Sequence, residues 1–188
     1  MASLNDNLFT ILLASQSVLD GTAALHTACG QMQVVFAAQS IRELSFQHSR
    51  SATAVDDPAF QTAFINWIKG LQQLTPSQQW CCLKPSGSRF QQTVWRALLD
   101  VPLGQRLTYR HIAEQIGKPQ AARAVGGAIG ANPLAILIPC HRIVPSGGGI
   151  GHYRWGVERK RVLLDAERRH GCDLAHLFES RWLKTRSN

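Results

Sequence analysis

At Lys84-Pro85-Ser86-Gly87-Ser88 the chain changes character, and this break constrains the fold more than any other feature. Proline and glycine among serines mark a connection rather than an element. Residues 1–84 carry four basic and five acidic side chains, whereas residues 85–188 carry sixteen and seven, so the formal charge of +8 resides in the second part. A chain of 188 residues accommodates one domain or two small ones. The break predicts two, residues 1–85 and 86–188. A neutral part joined to a strongly basic one points to an anionic partner, nucleic acid first. A solubilising basic face is the plainer alternative.

The chain is 45% hydrophobic and 17% charged, which excludes a disordered tail. No apolar stretch approaches the ~20 residues of a membrane span. The run Leu8 to Ala14 is short and follows Asp6 with no cationic lead, so it reads as packed structure rather than a signal peptide. Five cysteines (Cys29, Cys81, Cys82, Cys140, Cys172) at irregular spacing argue against a secreted disulfide framework and for the reducing cytoplasm.

Between Gln31 and Phe46 lie short β-type runs, Val34-Val35-Phe36 and Leu44-Ser45-Phe46. Phe60, Phe64, Trp67, Ile68 and Leu71 then recur at helical spacing after Asp57-Pro58, a helix start. Strands plus a helix predict a small α+β unit; the first twenty residues are ambiguous. Beyond the break the pattern is helical. Phe90, Val94, Ala97 and Leu98 share a face, Thr108 caps a helix through Gly117, and Ala121 to Ile129 forms another after the turn Lys118-Pro119-Gln120. Helix, turn and helix in a basic region is the helix-turn-helix arrangement. Its second helix is nearly all small residues, and its two interior glycines cost ~1 kcal/mol each relative to alanine. Close approach of another helix would offset that cost, as would close approach of a nucleic-acid backbone with Arg123 as the one long side chain. With so few polar groups to read base edges, the helix suits backbone and shape.

Leu134 to Ile138 has the length of a buried strand, and Pro139 ends it. Cys140, His141 and Arg142 follow directly. Cationic neighbours lower a thiol pKa and the thiolate is the nucleophile, so Cys140 is a candidate activated thiol. The alternative is a buried, inert cysteine beside a chance histidine.

Chain context favours the first reading. Phe90-Gln91-Gln92-Thr93-Val94-Trp95, Tyr109, Ala121-Ala122-Arg123-Ala124-Val125-Gly126, Asn132-Pro133 and Ile138-Pro139-Cys140-His141-Arg142-Ile143-Val144 resemble the O6-alkylguanine-DNA alkyltransferases in order and spacing. Gly151 to Lys160 resembles in particular the transferase half of the bacterial adaptive-response protein. The likeness is strong from Phe90 to Glu167 and loose around Gly30 to Phe46. It implies a two-domain α+β fold: an N-terminal antiparallel sheet with a helix, and a mostly helical C-terminal domain with a winged helix-turn-helix-like motif. It further implies single, stoichiometric transfer of an alkyl group from guanine O6 in duplex DNA to the protein's own cysteine, without cofactor, by a monomer. O4-alkylthymine would be a second lesion.

By this resemblance Cys140 is the acceptor, His141 its base through water, and Glu167 the group that orients and charges His141. Tyr109 would protonate the guanine ring, Arg123 would fill the gap left by the flipped nucleotide, and Asn132 would brace the turns of the site. Ala122 and Gly126 belong to the DNA-facing helix, while Arg110 and Ser146 are candidate phosphate contacts. Ile143, Tyr153, Arg154 and Trp155 would border the alkyl pocket. An indole at Trp155, with Arg154 beside it, narrows the mouth against a benzyl group.

Each role has a plainer counterpart. Glu167 would lie on a solvated helix face, Tyr109 would pack with its hydroxyl at the surface, Arg123 would pair with Glu114, and Asn132 before Pro133 would be an ordinary turn. Gly147-Gly148-Gly149 and the tail beyond Arg169 depart from the family pattern. His26, Cys29, Cys81 and Cys82 fit no zinc-ligand spacing, so no metal is expected. The competing functions are a non-catalytic sensor of alkylated bases, which would lack the acceptor cysteine, and a cysteine hydrolase, whose substrate would not explain the basic half.

Overall fold

The computed structural model describes residues 21–27, 29–37, 40–47, 58–83, 85–170 and 174–178. The expected boundary is present within one residue: the chain divides between Lys84 and Pro85. The expectation that everything after the break belongs to the second unit is corrected, because residues 174–178 pack in the first.

In the first unit, β1 (Gly21–Thr27), β2 (Gly30–Ala37) and β3 (Ser40–Phe46) form an antiparallel sheet in sequence order. Register places Ala23 opposite Val34, Leu25 opposite Met32, and Met32 opposite Phe46, so buried side chains share one face. Helix α1 (Pro58–Gln72) buries Phe60, Ala63, Phe64, Trp67, Ile68 and Leu71, the stripe predicted by its spacing. Each large apolar side chain buried there contributes ~1.5–3 kcal/mol. The Asp57 part of the predicted start, like the first twenty residues, lies outside the described residues. Helix α2 (Pro76–Leu83) was not expected. Thr75 starts it: its hydroxyl accepts from Gln78 N–H, while Gln78 Oε1 accepts from Thr75 N–H.

The segment Leu174–Phe178 is a 3-10 turn whose Phe178 ring meets Phe64 edge-on at 5.4 Å. Gln61 secures it. The Gln61 amide donates to Phe178 O (2.7 Å) and His26 O (2.8 Å) and accepts from His26 N–H (2.9 Å). An aromatic side chain and a half-buried amide thus assign this segment to the first unit, which charge counting did not capture.

In the second unit, Ser88 and Gln91 form a capping box for α3 (Arg89–Leu99). Trp95 Nε1–H donates to Ala128 O (2.8 Å), tying α3 to α5 (Ala122–Gly130). Helix α4 (Tyr109–Gln115) is capped by Thr108, and the 3-10 turn Pro119–Ala121 links it to α5. The pair α4–α5 is the predicted helix-turn-helix. Short strands β4 (Leu107–Thr108) and β5 (Ile143–Val144) pair in parallel, which brings the start of α4 beside the segment after Cys140. Helix α6 (Val157–His170) follows.

Leu134–Ile138 is not a strand. It is a pair of overlapping turns, with Ile138 N–H donating to Leu134 O (3.0 Å) and Leu137 N–H to Ala135 O (2.8 Å). Its residues are apolar because they are buried, and burial alone does not distinguish a strand from a wound-up turn. Among the described residues no helix is long and apolar enough to cross a membrane.

Candidate active site and nucleic-acid interface

Asn132, fully buried, shapes these turns. Its Oδ1 accepts from Leu134 N–H (3.0 Å), and its Nδ2 donates to Ile138 O (3.0 Å) and to Cys140 Sγ (3.1 Å). Within the loop it encloses, Ile136 adopts φ +69°, a conformation costing a β-branched residue ~1–3 kcal/mol. Cys140 therefore opens a 3-10 turn (Cys140–Arg142) instead of leaving a strand.

The thiol is raised overall, contrary to expectation. Burial pushes it up to about 11, against the smaller opposing effects of the Asn132 hydrogen bond, the Lys160 charge, the local backbone and Tyr153. His141 and Arg142 contribute little because both turn to Glu167. His141 Nε2–H donates to Glu167 Oε1 (2.8 Å). Arg142 places Nε at 3.0 and 3.1 Å from the two carboxylate oxygens, Nη2 at 2.9 Å from Oε1, and Nη1 at 2.6 Å from Val101 O. Gly104 N–H completes the carboxylate's partners at 3.3 Å.

Burial would raise Glu167, but hydrogen bonds and charge from His141, then Arg142, outweigh it and hold the carboxyl at about 2. The solvated-face reading of Glu167 is excluded by its burial. His141 is lowered, burial prevailing over the carboxylate. Glu167 favours the charged imidazole, as expected, but burial outweighs it, and among the described residues His141 Nδ1 is buried without a hydrogen-bond partner.

Lys160 was missed. Its Nζ donates to Ile143 O (2.6 Å) and His152 O (3.3 Å), and burial brings it down to about 8 despite the pull of Cys140. The signal was present: Lys160, Leu163, Leu164 and Glu167 recur at helical spacing and are all buried, so α6 aims two charged groups inward.

Tyr109, Arg110, Ala122, Arg123, Gly126 and Ser146 come together with Pro145 around a surface pocket of about 420 Å³. All six DNA-facing expectations thus share one location. Tyr109 connects it to the thiol, being raised by burial and then by the Cys140 charge. Glu114 is held by Arg110 (2.9 Å), and Arg123 is exposed. Of the two interior glycines, Gly126 faces the Tyr109 ring, 3.7 Å from where a Cβ would stand, whereas at Gly127 nothing among the described residues lies within 4 Å. The loop after Pro145 closes on glycine: Gly151 has φ +70°, and a Cβ there would sit 2.6 Å from Pro145 Cδ.

Ile143, Tyr153, Arg154 and Trp155 do not line this pocket. Tyr153 and Trp155 are buried, their rings edge-to-face at 5.2 Å, with Tyr153 acting on the thiol. The Arg154 guanidinium lies 5.6 Å from the Trp155 ring centre and donates to Asn132 O (3.5 Å). Ile143 is buried under Lys160.

Residues 89–169 match the family model described as 6-O-methylguanine DNA methyltransferase, DNA binding domain. The methylated-DNA–protein-cysteine methyltransferase of Mycolicibacterium paratuberculosis is 52% identical over 93 residues, 50% of this chain and 56% of its own length. The bifunctional transcriptional activator/DNA repair enzyme Ada of Escherichia coli is 53% identical over 81 residues, 43% of this chain and 23% of its own length. The chain thus spans about half the length, or less, of these curated relatives. Among solved structures, Mycobacterium tuberculosis OGT in complex with DNA is 32% identical, with TM-score 0.64 over 85% of this chain and 99% of that one. A thiol braced by asparagine, a His–Glu pair behind it and a relative matched almost end to end lead to one conclusion: the chain belongs to the O6-methylguanine-DNA methyltransferase family.

Proposed function

We propose that this protein repairs O6-alkylguanine in duplex DNA by moving the alkyl group, once, to Cys140. One observation carries the reading: the Asn132–Cys140 contact and the His141–Glu167 pair stand behind Tyr109, a lining residue of the pocket on the glycine-bearing helix.

At rest the thiol is protonated and guarded by burial. In the reaction its proton passes through water to the lone pair of His141 Nδ1, a buried nitrogen without a partner among the described residues. The electron pair left on sulfur attacks the alkyl carbon in line, the S–C bond forms, and the C–O6 bond breaks. Guanine leaves with a proton from the Tyr109 phenol, and the imidazolium proton restores Tyr109, so the thiol proton ends on the base. Lys160 balances the transient thiolate.

The target must leave the stack to meet the thiol. Arg123, exposed on α5, takes its place. Ala122 and Gly126 let the backbone approach, and Arg110 and Ser146 contact phosphate. The S–C bond formed on Cys140 is a stable thioether, so each molecule acts once. O4-alkylthymine offers the same alkyl–oxygen bond and is the second substrate.

Mixing the protein with methylated duplex DNA and mapping peptides by mass spectrometry tests this. The reading expects one adduct of about 14 Da, a net CH2, on Cys140 and none in Cys140→Ser. An adduct on Cys82 or Cys172 instead would overturn the assignment.

A further inference from the structure

We infer that Arg142 is a positioning residue for the proton transfer, keeping His141 in the neutral form whose Nδ1 can accept the thiol proton. The inference rests on the reaction proposed above and adds a residue to it.

The cluster contains two anions in the course of the reaction, the Glu167 carboxylate and the Cys140 thiolate, and two fixed cations, Arg142 and Lys160. Geometry assigns them in pairs. Arg142 forks onto both oxygens of Glu167 and is itself anchored by Val101 O. Lys160 is held by Ile143 O and His152 O, on the side where its charge acts on Cys140. Before the reaction Glu167 is thus already balanced, and His141 is not required as its cation.

The His141 ring supports the same assignment. An ionised Glu167 only accepts, so Nε2 carries the hydrogen of the 2.8 Å bond. A second proton, on Nδ1, would be a buried charged donor with no acceptor among the described residues. The charged or titratable groups acting on His141 are Glu167 and Lys160 from α6 and Arg142 beside it; Tyr109 from α4 acts on its neighbour Cys140. Without Arg142, the carboxylate would recruit the imidazole as its counter-ion in the resting protein. Nδ1 would then be occupied before any substrate arrived, and no lone pair would remain for the thiol proton.

Nitrogen-15 NMR of the histidines in the full chain tests this, beside the repair rate as a function of pH. The wild type is expected to show His141 as the neutral Nε2–H tautomer at neutral pH. Arg142→Met should show the imidazolium at neutral pH and repair about 100-fold more slowly there, the range of a lost general base. Arg142→Lys, which keeps the charge, should restore the neutral ring and most of the rate. An imidazolium in the wild type, or an unchanged neutral ring in folded Arg142→Met, overturns the inference. Should Arg142→Met not fold, the wild-type spectrum and Arg142→Lys decide. Failure of wild-type protein to methylate Cys140 would instead overturn the proposed function, and it leaves the spectrum readable.

Discussion

Helices α1 and α6 bury stripes of the same period with opposite chemistry. α1 turns Phe60, Phe64, Trp67, Ile68 and Leu71 inward, an apolar set that does nothing but exclude water. α6 turns Leu163 and Leu164 inward between Lys160 and Glu167. Burying a charge costs several kcal/mol unless it is paired, and even then an apolar replacement often serves stability as well. The two charges on α6 therefore have no stabilising rationale that α1 lacks. Three of their partners, the His141 ring, the Arg142 fork and the carbonyl of Ile143, lie within three residues of Cys140. Where an inward stripe departs from apolar composition, the departure marks the chemistry.

The largest effect that would break this comparison is on transfer itself. Cys140→Ser should abolish the adduct while DNA binding persists, because phosphate contacts do not need the thiol; loss of binding in a gel-shift titration would show that the site is structural. Next comes stability. Glu167→Met strands the Arg142 guanidinium and should cost ~3–5 kcal/mol in urea unfolding, whereas Leu71→Met on α1 should cost less than ~1.5 kcal/mol. Equal costs would mean that the two stripes do the same work.

Arg123→Ala should slow repair of duplex DNA by at least about tenfold, roughly 1.4 kcal/mol of barrier, and leave repair of the free modified base nearly unchanged. A parallel loss on both substrates would remove Arg123 from base extrusion. Trp155→Gly is a finer probe. If the buried indole beside Tyr153 bounds the alkyl pocket, the benzyl-to-methyl rate ratio should rise by one to two decades, the rate equivalent of ~1–3 kcal/mol of relieved overpacking. An unchanged ratio with lower stability would make Trp155 a core residue only.

Much of this was legible in the sequence, for identifiable reasons. Helix periods placed α1, α3, α4 and α5, and the capping residue Thr108 marked the start of α4; the Ser88 cap of α3 was read only as part of the connection. β1 escaped because Gly-Thr-Ala-Ala-Leu-His-Thr has little branched or aromatic character. The apolar run before Pro139 misled because its backbone partners come from the Asn132 side chain, which no periodicity reports. Charge was misread for a related cause. Adjacency along the chain suggested that His141 and Arg142 would activate Cys140, yet both reach Glu167, 26 and 25 residues away. Lys160 was legible in principle, as a charge on a buried helical face.

The smallest effect is on stability at alkaline pH. Lys160 titrates near 8 in the folded protein and at its ordinary 10.5 when unfolded, so between these values the unfolded chain binds more protons and stability rises with pH. Cys140 is raised from 9.0 to about 11, so its contribution is complete below 9 and is lost as pH rises toward 11. The two should nearly cancel from about 9 to about 10.5 in the wild type. Cys140→Ser should uncover the rise due to Lys160 in that window, measured by urea unfolding. A flat profile in the variant would remove Lys160 from the buried set.

Burial holds the thiol back at rest, and only transfer of its proton makes it a nucleophile. The most direct measurement is the pH titration of Cys140 in the free protein, followed through thiolate absorbance with Cys140→Ser as the blank. A midpoint near 11 is expected, set by burial of the thiol. A midpoint at or below the ordinary thiol value of 9.0 would contradict it, because the neighbouring charges would then have activated the cysteine before any DNA arrived.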